Sequence, residues 1–401
     1  MRTRVTKGLN AGRSGREADG VDALNVTPQL PERPRILVIT MRRLGDVLLT
    51  TPLVRALHRG FHGAHIDLLV FRGSEDILAG NPDIGQIIAV PENPSLVEMA
   101  RLVARLWRRY DLAITTQTGD RPTFLAWVAG RFRAGLVPAG KRTWRHAALH
   151  RCVEADAGLH RVIELNRIAL ALGVDSSPQI VVPRRDKAVP ARRTPYAVLH
   201  ANPKYKIRRW TADGWRALAN GLRARGLAVV ATGGADQAER EYLDHVWTPV
   251  EPPVERMDGR LDWGGLADLL AGAAVYVGPD TSMTHLAAAS GCPTVGIYGP
   301  ASPHGMGPWP VGGLEKPWAR AGTIQHRGNV WVVQNPLPCM PCDRLGCDNH
   351  LESRSECLDT LAVAQVLGAV DQALGSRAPL NAQGSAIADD ATRSISPRGS
   401  I

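Results

Sequence analysis

The stretch Val275–Gly299, VYVGPDTSMTHLAAASGCPTVGIYG, constrains the fold more than any other part of this chain. Its order predicts a strand over Val275–Val277, a tight loop at Gly278-Pro279 and a polar helix start at Asp280-Thr281-Ser282. A helix over Met283–Ser290, a stop at Gly291 and a second strand over Pro293–Tyr298 follow. Strand, helix and strand in so short a span form the crossover unit of a parallel sheet. The first N–H groups of such a helix have no intrahelical partner and carry partial positive charge, which makes the start an anion site. Thr281 and Ser282 add hydroxyl donors, and His285 lies one turn beyond Ser282 on the same face. The natural guest is a phosphate or diphosphate. Asp280 serves equally well as the plain N-cap of a crossover helix.

A chain of 401 residues is long enough for two domains of ordinary size, each with its own core. Hydrophobic residues at 44% and charged residues at 21% are normal for a globular protein. The net charge of +10 is largely arginine in the first half, which suits an acidic glycan, a phospholipid surface or nucleic acid. Aromatic residues, only 5%, are not interleaved with the basic runs, and no recognition-helix or zinc-finger pattern is present, so nucleic acid is not an expected partner. The N-terminus, MRTRVTKGLNAGRSGREADG, is basic and polar and lacks the apolar core of a secretory signal. No apolar run approaches the about 20 residues of a membrane span. A cytoplasmic location, with at most peripheral membrane association, is expected. Six cysteines in such a chain argue against a disulfide framework, and Cys152 and Cys292 read as small core residues.

Residues 1–33 and the tail 376–401 lack periodicity and read as disordered. Between them the pattern alternates. Strands are expected at Ile36–Thr40, Ile66–Phe71, Ile87–Val90, Leu112–Thr116 and Phe132–Val137, with helices at Leu53–Arg59, Leu96–Arg109 and His160–Leu172. The Pro- and Arg-rich stretch Val181–Pro195 carries no element and contains the linker, placed at 184–195. A second alternating set follows: strand Ala197–His200, helix Ala212–Arg225, strand Leu227–Ala231, helices Asp236–His245 and Leu266–Ala271, the Val275–Tyr298 unit, and a last helix Thr360–Leu374. The expected fold class is α/β, two doubly wound parallel-sheet domains over 34–183 and 196–375 facing across a cleft.

Five polar clusters follow predicted strands. In ILVITMRRLGDVLLTTPLVRAL, residues 36–57, a buried-type strand ends at Thr40 and a loop with Gly45 leads to Asp46, with regular helix starting at Thr51-Pro52. Asp46 on a short irregular segment in the cleft is a candidate general base toward a hydroxyl, or else a helix N-cap. The loop in VLHANPKYKIRRWTADGW carries Lys204, Lys206, Arg208 and Arg209 toward the same cleft, where cations suit a diphosphate leaving group; a solvated loop is the plainer fate. Gly233-Gly234 allows close backbone approach to a ligand, or simply a turn. The basic stretch 140–151, with Lys141, Arg142 and Arg145, joins Arg42 and Arg43 as an acceptor pocket for carboxylates or phosphates, or as a solvated basic face. Cys339, Cys342, Cys347 and Cys357 resemble a structural zinc site, with His350 as a substitute ligand, against reduced thiols packing a loop.

Together these segments resemble glycosyltransferase family 9, the lipopolysaccharide heptosyltransferases. The resemblance runs from Arg35 to about Leu374 and is carried by RRLGDVLLTTPLVRAL, HRVIELNRIALALGV, the loop Lys206–Trp210, the TGG of Thr232–Gly234, and GPDTSMTHLAAASGCPTVGIYGP. The cysteine-rich segment is similar to a subset of that family. The resemblance implies a GT-B fold with the active site between two Rossmann-like domains. It implies ADP-L-glycero-β-D-manno-heptose as donor and an inner-core Kdo or heptose of lipopolysaccharide as acceptor, at the cytoplasmic face of the inner membrane. The implied reaction is an inverting single displacement without a catalytic metal. Asp46 would be the general base, and Asp280, Thr281, Ser282 and His285 would hold the diphosphate and heptose. Where the family most often has lysine two positions before the loop tryptophan, this chain has Arg208, with Lys206 two residues earlier, so either cation is a candidate partner for the diphosphate. Two other classes share such a cleft: a nucleotide-sugar epimerase and a non-catalytic sugar-nucleotide or glycan-binding protein.

Overall fold

The computed structural model describes residues 28–140, 142–185 and 192–376. Lys141, half of the expected linker and most of both expected tails lie outside the described residues. The first half contains β1 (Arg35–Thr40), α1 (Leu44–Leu48), α2 (Thr51–Gly60), β2 (His65–Phe71), β3 (Gln86–Val90), α3 (Leu96–Leu106), β4 (Tyr110–Thr115), α4 (Asp120–Ala129), β5 (Gly130–Val137), α5 (Trp144–Ala148), β6 (Arg151–Glu154) and α6 (Arg161–Ala171). The second half contains β7 (Tyr196–His200), α7 (Ala212–Arg223), β8 (Ala228–Thr232), α8 (Gln237–Trp247), β9 (Glu255–Arg256), α9 (Trp263–Gly272), β10 (Val275–Pro279), α10 (Ser282–Ala289), β11 (Thr294–Tyr298), α11 (Pro303–Met306), β12 (Ile324–Arg327), β13 (Val330–Gln334), α12 (Glu356–Asp359) and α13 (Val363–Gly375).

The first sheet is wholly parallel, in the order β3-β2-β1-β4-β5-β6, and the second runs β12-β13-β11-β10-β7-β8-β9 with only β12 antiparallel. The central strands are buried along almost their whole length, as both-face coverage by helices demands: RILVIT, YAVLH and TVGIY read as continuous apolar runs rather than alternations. Alternation survives in where each side chain goes. Ile36 and Val38 face one core cluster of the first sheet, and Leu37 and Ile39 the opposite one. The first of these clusters continues without a break into the second half through Val198, Val230, Tyr276, Met283 and Leu286. The two sheets therefore share apolar packing across the cleft floor, in place of two separately closed cores. A separate cluster on the second sheet packs Trp210 edge-on to Trp215 at 5.2 Å and Trp215 against Trp247 at 6.4 Å.

Several elements depart from expectation. Asp46 lies inside the one-turn helix α1 rather than on irregular chain, and it caps nothing. The helix α4, DRPTFLAWVA, is apolar nearly all round and so lacks the 3.6-residue signal. The basic stretch 140–151 is not one long loop, since it holds α5 and the start of β6. Helix α3 stops at Leu106, because Trp107 leaves the helical region with ψ 111° and Arg108 takes a positive φ of 49°. Cys292 is buried as expected, but Cys152 is exposed: it sits on β6, the short last strand of the sheet, whose outward positions face solvent.

Candidate active site

In doubly wound sheets, ligands bind beyond the carboxyl ends of the strands, where the strand order reverses. That point lies between β1 and β4 in the first sheet and between β7 and β10 in the second. The segments leaving these four strands carry Arg42–Asp46, Gln117-Thr118, Lys204–Arg209 and Asp280–Ser282.

Asp46 is only 7% exposed. Arg42 Nε donates to its Oδ1 at 2.7 Å, and Arg161 Nε lies 4.0 Å from the same oxygen. Arg161 is itself anchored: it donates to Thr116 O at 2.6 Å and to Glu164 Oε2 at 2.7 Å. Burial pulls the Arg161 pKa below the ordinary arginine value, while Glu164 and then Asp46 hold it up. A buried carboxylate whose Oδ1 lies between two guanidinium groups keeps its other oxygen free to meet a hydroxyl proton.

Helix α10 faces α1 directly. A Cβ placed on Gly45 would lie 3.2 Å from His285 Cδ2 and 3.8 Å from Ser282 Cα, so glycine is what lets the two helices approach this closely. Beside this contact the Arg43 guanidinium lies 4.8 Å over the Tyr205 ring. Thr281 occupies the N-cap of α10 in extended conformation, yet its side chain caps nothing. Thr281 Oγ1 and His285 Nδ1 are buried without a hydrogen-bond partner among the described residues. Burial lowers the His285 pKa, with Asp280 and Asp46 opposing, and the ring is neutral at pH 7. Asp280 does not cap the helix. Arg208 Nη1 donates to its backbone oxygen at 2.8 Å and lies 3.1 Å from Oδ2. Asp280 thus fixes Arg208 beside the uncapped helix start.

The rest of the basic loop divides. Lys206 is exposed, at the start of the 3-10 turn Lys206–Arg208. Arg209 is spent on the Tyr242 ring, 4.1 Å away. The turn is braced from the C-terminal segment: Ser355 Oγ donates to Ile207 O at 2.7 Å, and Trp210 Nε1 to Leu361 O at 3.1 Å. At Gly233-Gly234 the close approach is by the protein itself. A Cβ on Gly233 would collide with Leu243, one on Gly234 with Glu239, and Gly234 N donates to Glu239 Oε1 at 2.8 Å.

A cleft of about 290 Å³ opens beside Asp46. Arg42, Gln117, Thr118, Asp156, Arg161 and Glu164 line it from the first half, and Gly305 and Met306 from the second. Of the five basic residues expected in an acceptor pocket, Arg42 lines this cleft. Arg43 stacks on Tyr205, Arg145 pairs with Asp120 at 2.7 Å, Arg142 is exposed, and Lys141 is outside the described residues. Sequence reasoning missed Arg161 and Glu164. The signal was there: a charged i, i+3 pair at the start of the HRVIELNRIALALGV helix, where a basic residue in the first turn opposes the dipole and needs another reason to be there.

The two halves are tied beside this cleft by His160 Nε2 to Gly307 O at 2.9 Å, His304 Nε2 to Gly158 O at 2.8 Å and Trp309 Nε1 to Pro178 O at 2.7 Å. His160 is also the N-cap of α6, its Nδ1 accepting from Val162 N at 3.2 Å. That fixes the tautomer with hydrogen on Nε2, which donates to Gly307 O. Burial pushes the His160 pKa down to about 4.

The expected structural zinc is not supported. Among the described residues, no group of three or more His, Cys, Asp or Glu side chains is placed to hold a metal ion. Cys339 and Cys347 are exposed, and the Cys347 sulfur accepts from Glu356 N at 3.3 Å. Cys357 is buried against Leu358 and Leu361 in the second-sheet core, and burial, then the neighbouring thiols, push its pKa up to about 12. The segment works as packing that braces the basic loop.

The profile of glycosyltransferase family 9 (heptosyltransferase) matches residues 99–313, more than half of the chain. Lipopolysaccharide heptosyltransferase 1 of Pseudomonas aeruginosa is 27% identical over 329 residues, covering 78% of this chain and 87% of the relative. Among solved structures, a glycosyl transferase family 9 protein from Veillonella parvula superposes with a TM-score of 0.69 at 18% identity, over 88% of this chain and 100% of that one. An Escherichia coli heptosyltransferase solved with ADP superposes with a TM-score of 0.63 at 21% identity, over 84% of this chain and 99% of that one. These structures share the two-sheet GT-B architecture described above.

Proposed function

The chain belongs to glycosyltransferase family 9 and is a glycosyltransferase; on that premise we propose that it moves heptose from ADP-L-glycero-β-D-manno-heptose to an inner-core Kdo or heptose of lipopolysaccharide. Relatives named lipopolysaccharide heptosyltransferases, and a structural neighbour solved with ADP, support the substrate classes. The observation that carries the reading is the facing pair: a buried carboxylate at Asp46, and across the Gly45–His285 contact an uncapped helix start with an unpartnered hydroxyl at Thr281.

The diphosphate docks at the start of α10, where Thr281 and Ser282 donate hydroxyls and the first N–H groups complete the cradle. Arg208, held by Asp280, takes up charge on the departing diphosphate, and Lys206 swings in from the exposed turn. The Gly233-Gly234 turn, drawn tight by Glu239, shapes the floor beneath the nucleotide. Neutral His285 lies against the sugar without adding charge. The acceptor enters the cleft lined by Arg42 and Arg161, whose guanidinium groups meet its carboxylate or phosphate, and Arg43, Lys141, Arg142 and Arg145 supply the wider basic rim. Asp46 takes the acceptor hydroxyl proton as the oxygen attacks the anomeric carbon from the face opposite the diphosphate, which inverts that centre. The cations on hand make this displacement independent of a metal ion. The work takes place in the cytoplasm, at the inner-membrane surface where the acceptor is anchored.

Incubation with ADP-heptose and a truncated core acceptor tests the reading. Formation of ADP together with an acceptor one heptose heavier supports it. Isomerised donor in place of transfer would assign the site to an epimerase, and binding without either product to a carrier.

A further inference from the structure

Ten large hydrophobic side chains are exposed among the described residues, and six of them lie between Leu96 and Trp144. All four exposed large aromatics are in this group: Trp107 (56% exposed), Phe124 (38%), Trp127 (44%) and Trp144 (48%). Three form one surface cluster. Trp107 meets Trp127 edge-on at 6.5 Å, and Phe124 stacks on Trp127 at 6.3 Å. The cluster belongs to α3 and α4, which cover the face of the first sheet opposite the shared core, and its rings stay exposed among the described residues. Exposed aromatics gathered in one place are uncommon on a surface that meets only water.

The charge around the cluster is one-sided. Residues 96–145 carry ten basic and three acidic side chains, a net +7 within a chain of net +10. Each acid is occupied locally: Glu98 in the Ser95 capping box, Asp111 with Arg131 at 3.2 Å, and Asp120 with Arg145 at 2.7 Å. Arg101, Arg105, Arg108 and Arg109, on the same stretch of chain as Trp107, are exposed, and Arg105 and Arg109 line a basic hollow with Arg35 beside Tyr110. At the far end of α4 the Trp144 indole donates to Asp120 at 2.8 Å, two residues beyond Thr118 in the cleft lining. The aromatic face therefore runs from the outer end of α3 to the mouth of the acceptor cleft.

We infer that this α3–α4–α5 face seats on an anionic phospholipid bilayer, with Trp107, Phe124 and Trp127 entering the headgroup layer and the arginines on lipid phosphates. Indole and phenyl rings on a stretch rich in long cations match the interfacial region, where the ring is buried and the guanidinium reaches outward to phosphate. Net positive charge matches the anionic leaflet. The Trp144 end of this face lies beside the cleft, so seating it on a bilayer brings the cleft near the membrane; for its purpose, though not for its measurement, the proposal rests on the reading of the acceptor as a lipid-anchored glycan.

Co-sedimentation of the full chain with vesicles of phosphatidylcholine alone, and with one-third phosphatidylglycerol, tests the surface. The chain should pellet with the anionic vesicles and much less with the neutral ones. Trp107→Ser/Phe124→Ser/Trp127→Ser should weaken partitioning roughly tenfold or more, and Arg101→Gln/Arg105→Gln should weaken it roughly tenfold through charge alone. Undiminished partitioning of the triple variant, or no binding by the parent chain, overturns the proposal. So does a dimer in sedimentation velocity that the triple variant dissolves, since the face would then belong to a second copy. Transfer to a deacylated, soluble core acceptor should be unchanged in the triple variant. Absence of that transfer in the parent chain would fail the proposed function while leaving the vesicle result standing.

Discussion

The two sides of the cleft are built differently. The side beyond β10 is one contiguous stretch: strand, Asp280-Thr281-Ser282, helix, with polar groups buried in place and Arg208 locked by its neighbour. The side beyond β1 and β4 is gathered from four separate segments, Arg42–Asp46, Gln117-Thr118, Asp156 and Arg161–Glu164. On the proposed function the β10 side holds a diphosphate, which is the same on every nucleotide sugar, so one rigid cradle suffices for it. An acceptor glycan varies, and a cavity assembled from several loops can change one wall at a time. The comparison predicts that changes on the β10 side act on nucleotide affinity, and changes on the β1 side on turnover and acceptor use.

The largest expected effect is at Asp46. Asp46→Asn keeps the shape and removes the base, and should lower kcat by roughly 10³-fold while ADP affinity by calorimetry stays near that of the parent. A variant that retains most of its turnover would move the base elsewhere.

Acid comes next, and it acts on the β1 side through α6. His160 must be neutral to accept from Val162 N, and its folded-state pKa of about 4 lies below the ordinary 6.5. A histidine lowered in the folded state contributes its full stability above pH 6.5 and loses it as pH falls toward 4. The loss is on the order of 3 kcal/mol, and His200 and His285, also lowered by burial, act in the same direction. Thermal midpoints measured between neutral pH and about pH 5 should fall. His160→Gln, whose amide can accept from Val162 and donate to Gly307, should flatten the slope. An unchanged slope would remove His160 from the account.

On the β10 side, Arg208→Ala should weaken ADP binding roughly 30-fold, about 2 kcal/mol, and leaves Asp280 without its partner. Unchanged ADP affinity would transfer the role to Lys206. The smallest effect is expected at the seam. Gly45→Ala brings a methyl to 3.2 Å from His285, which a small shift between the helices relieves. Turnover should fall severalfold with ADP affinity intact, and an equal loss of both would mean that the seam shapes the nucleotide site instead.

The same contrast explains what could be read in the sequence. The contiguous site was legible because strand, cap and helix signals follow one another within residues 275–299. The parallel architecture was legible because buried parallel strands are unbroken apolar runs. The gathered site was legible only at Asp46 and Arg42. Arg161 reaches Asp46 across more than a hundred residues of chain; the local pair with Glu164 marks it as unusual at a helix start but cannot name Asp46 as its partner. The α4 helix was invisible for a related reason: a helix sandwiched against the sheet and bearing Phe124 and Trp127 outward is apolar on both faces and shows no period. The cysteine spacing suggested a metal because spacing is one-dimensional. In three dimensions the thiols are neighbours, yet Cys357 is buried in the core while Cys339 and Cys347 stay exposed, and no metal-holding group forms among the described residues.

The most direct test is a crystal structure with a non-transferable ADP-heptose analogue and a core acceptor bound together. The account predicts a diphosphate oxygen within hydrogen-bond reach of Thr281 Oγ1. It also predicts the Asp46 carboxylate about 6 Å from the anomeric carbon, with the acceptor oxygen between them. A diphosphate seated away from the start of α10, or an Asp46 carboxylate turned from the sugar with Arg42 and Arg161 closed over it, would contradict the account.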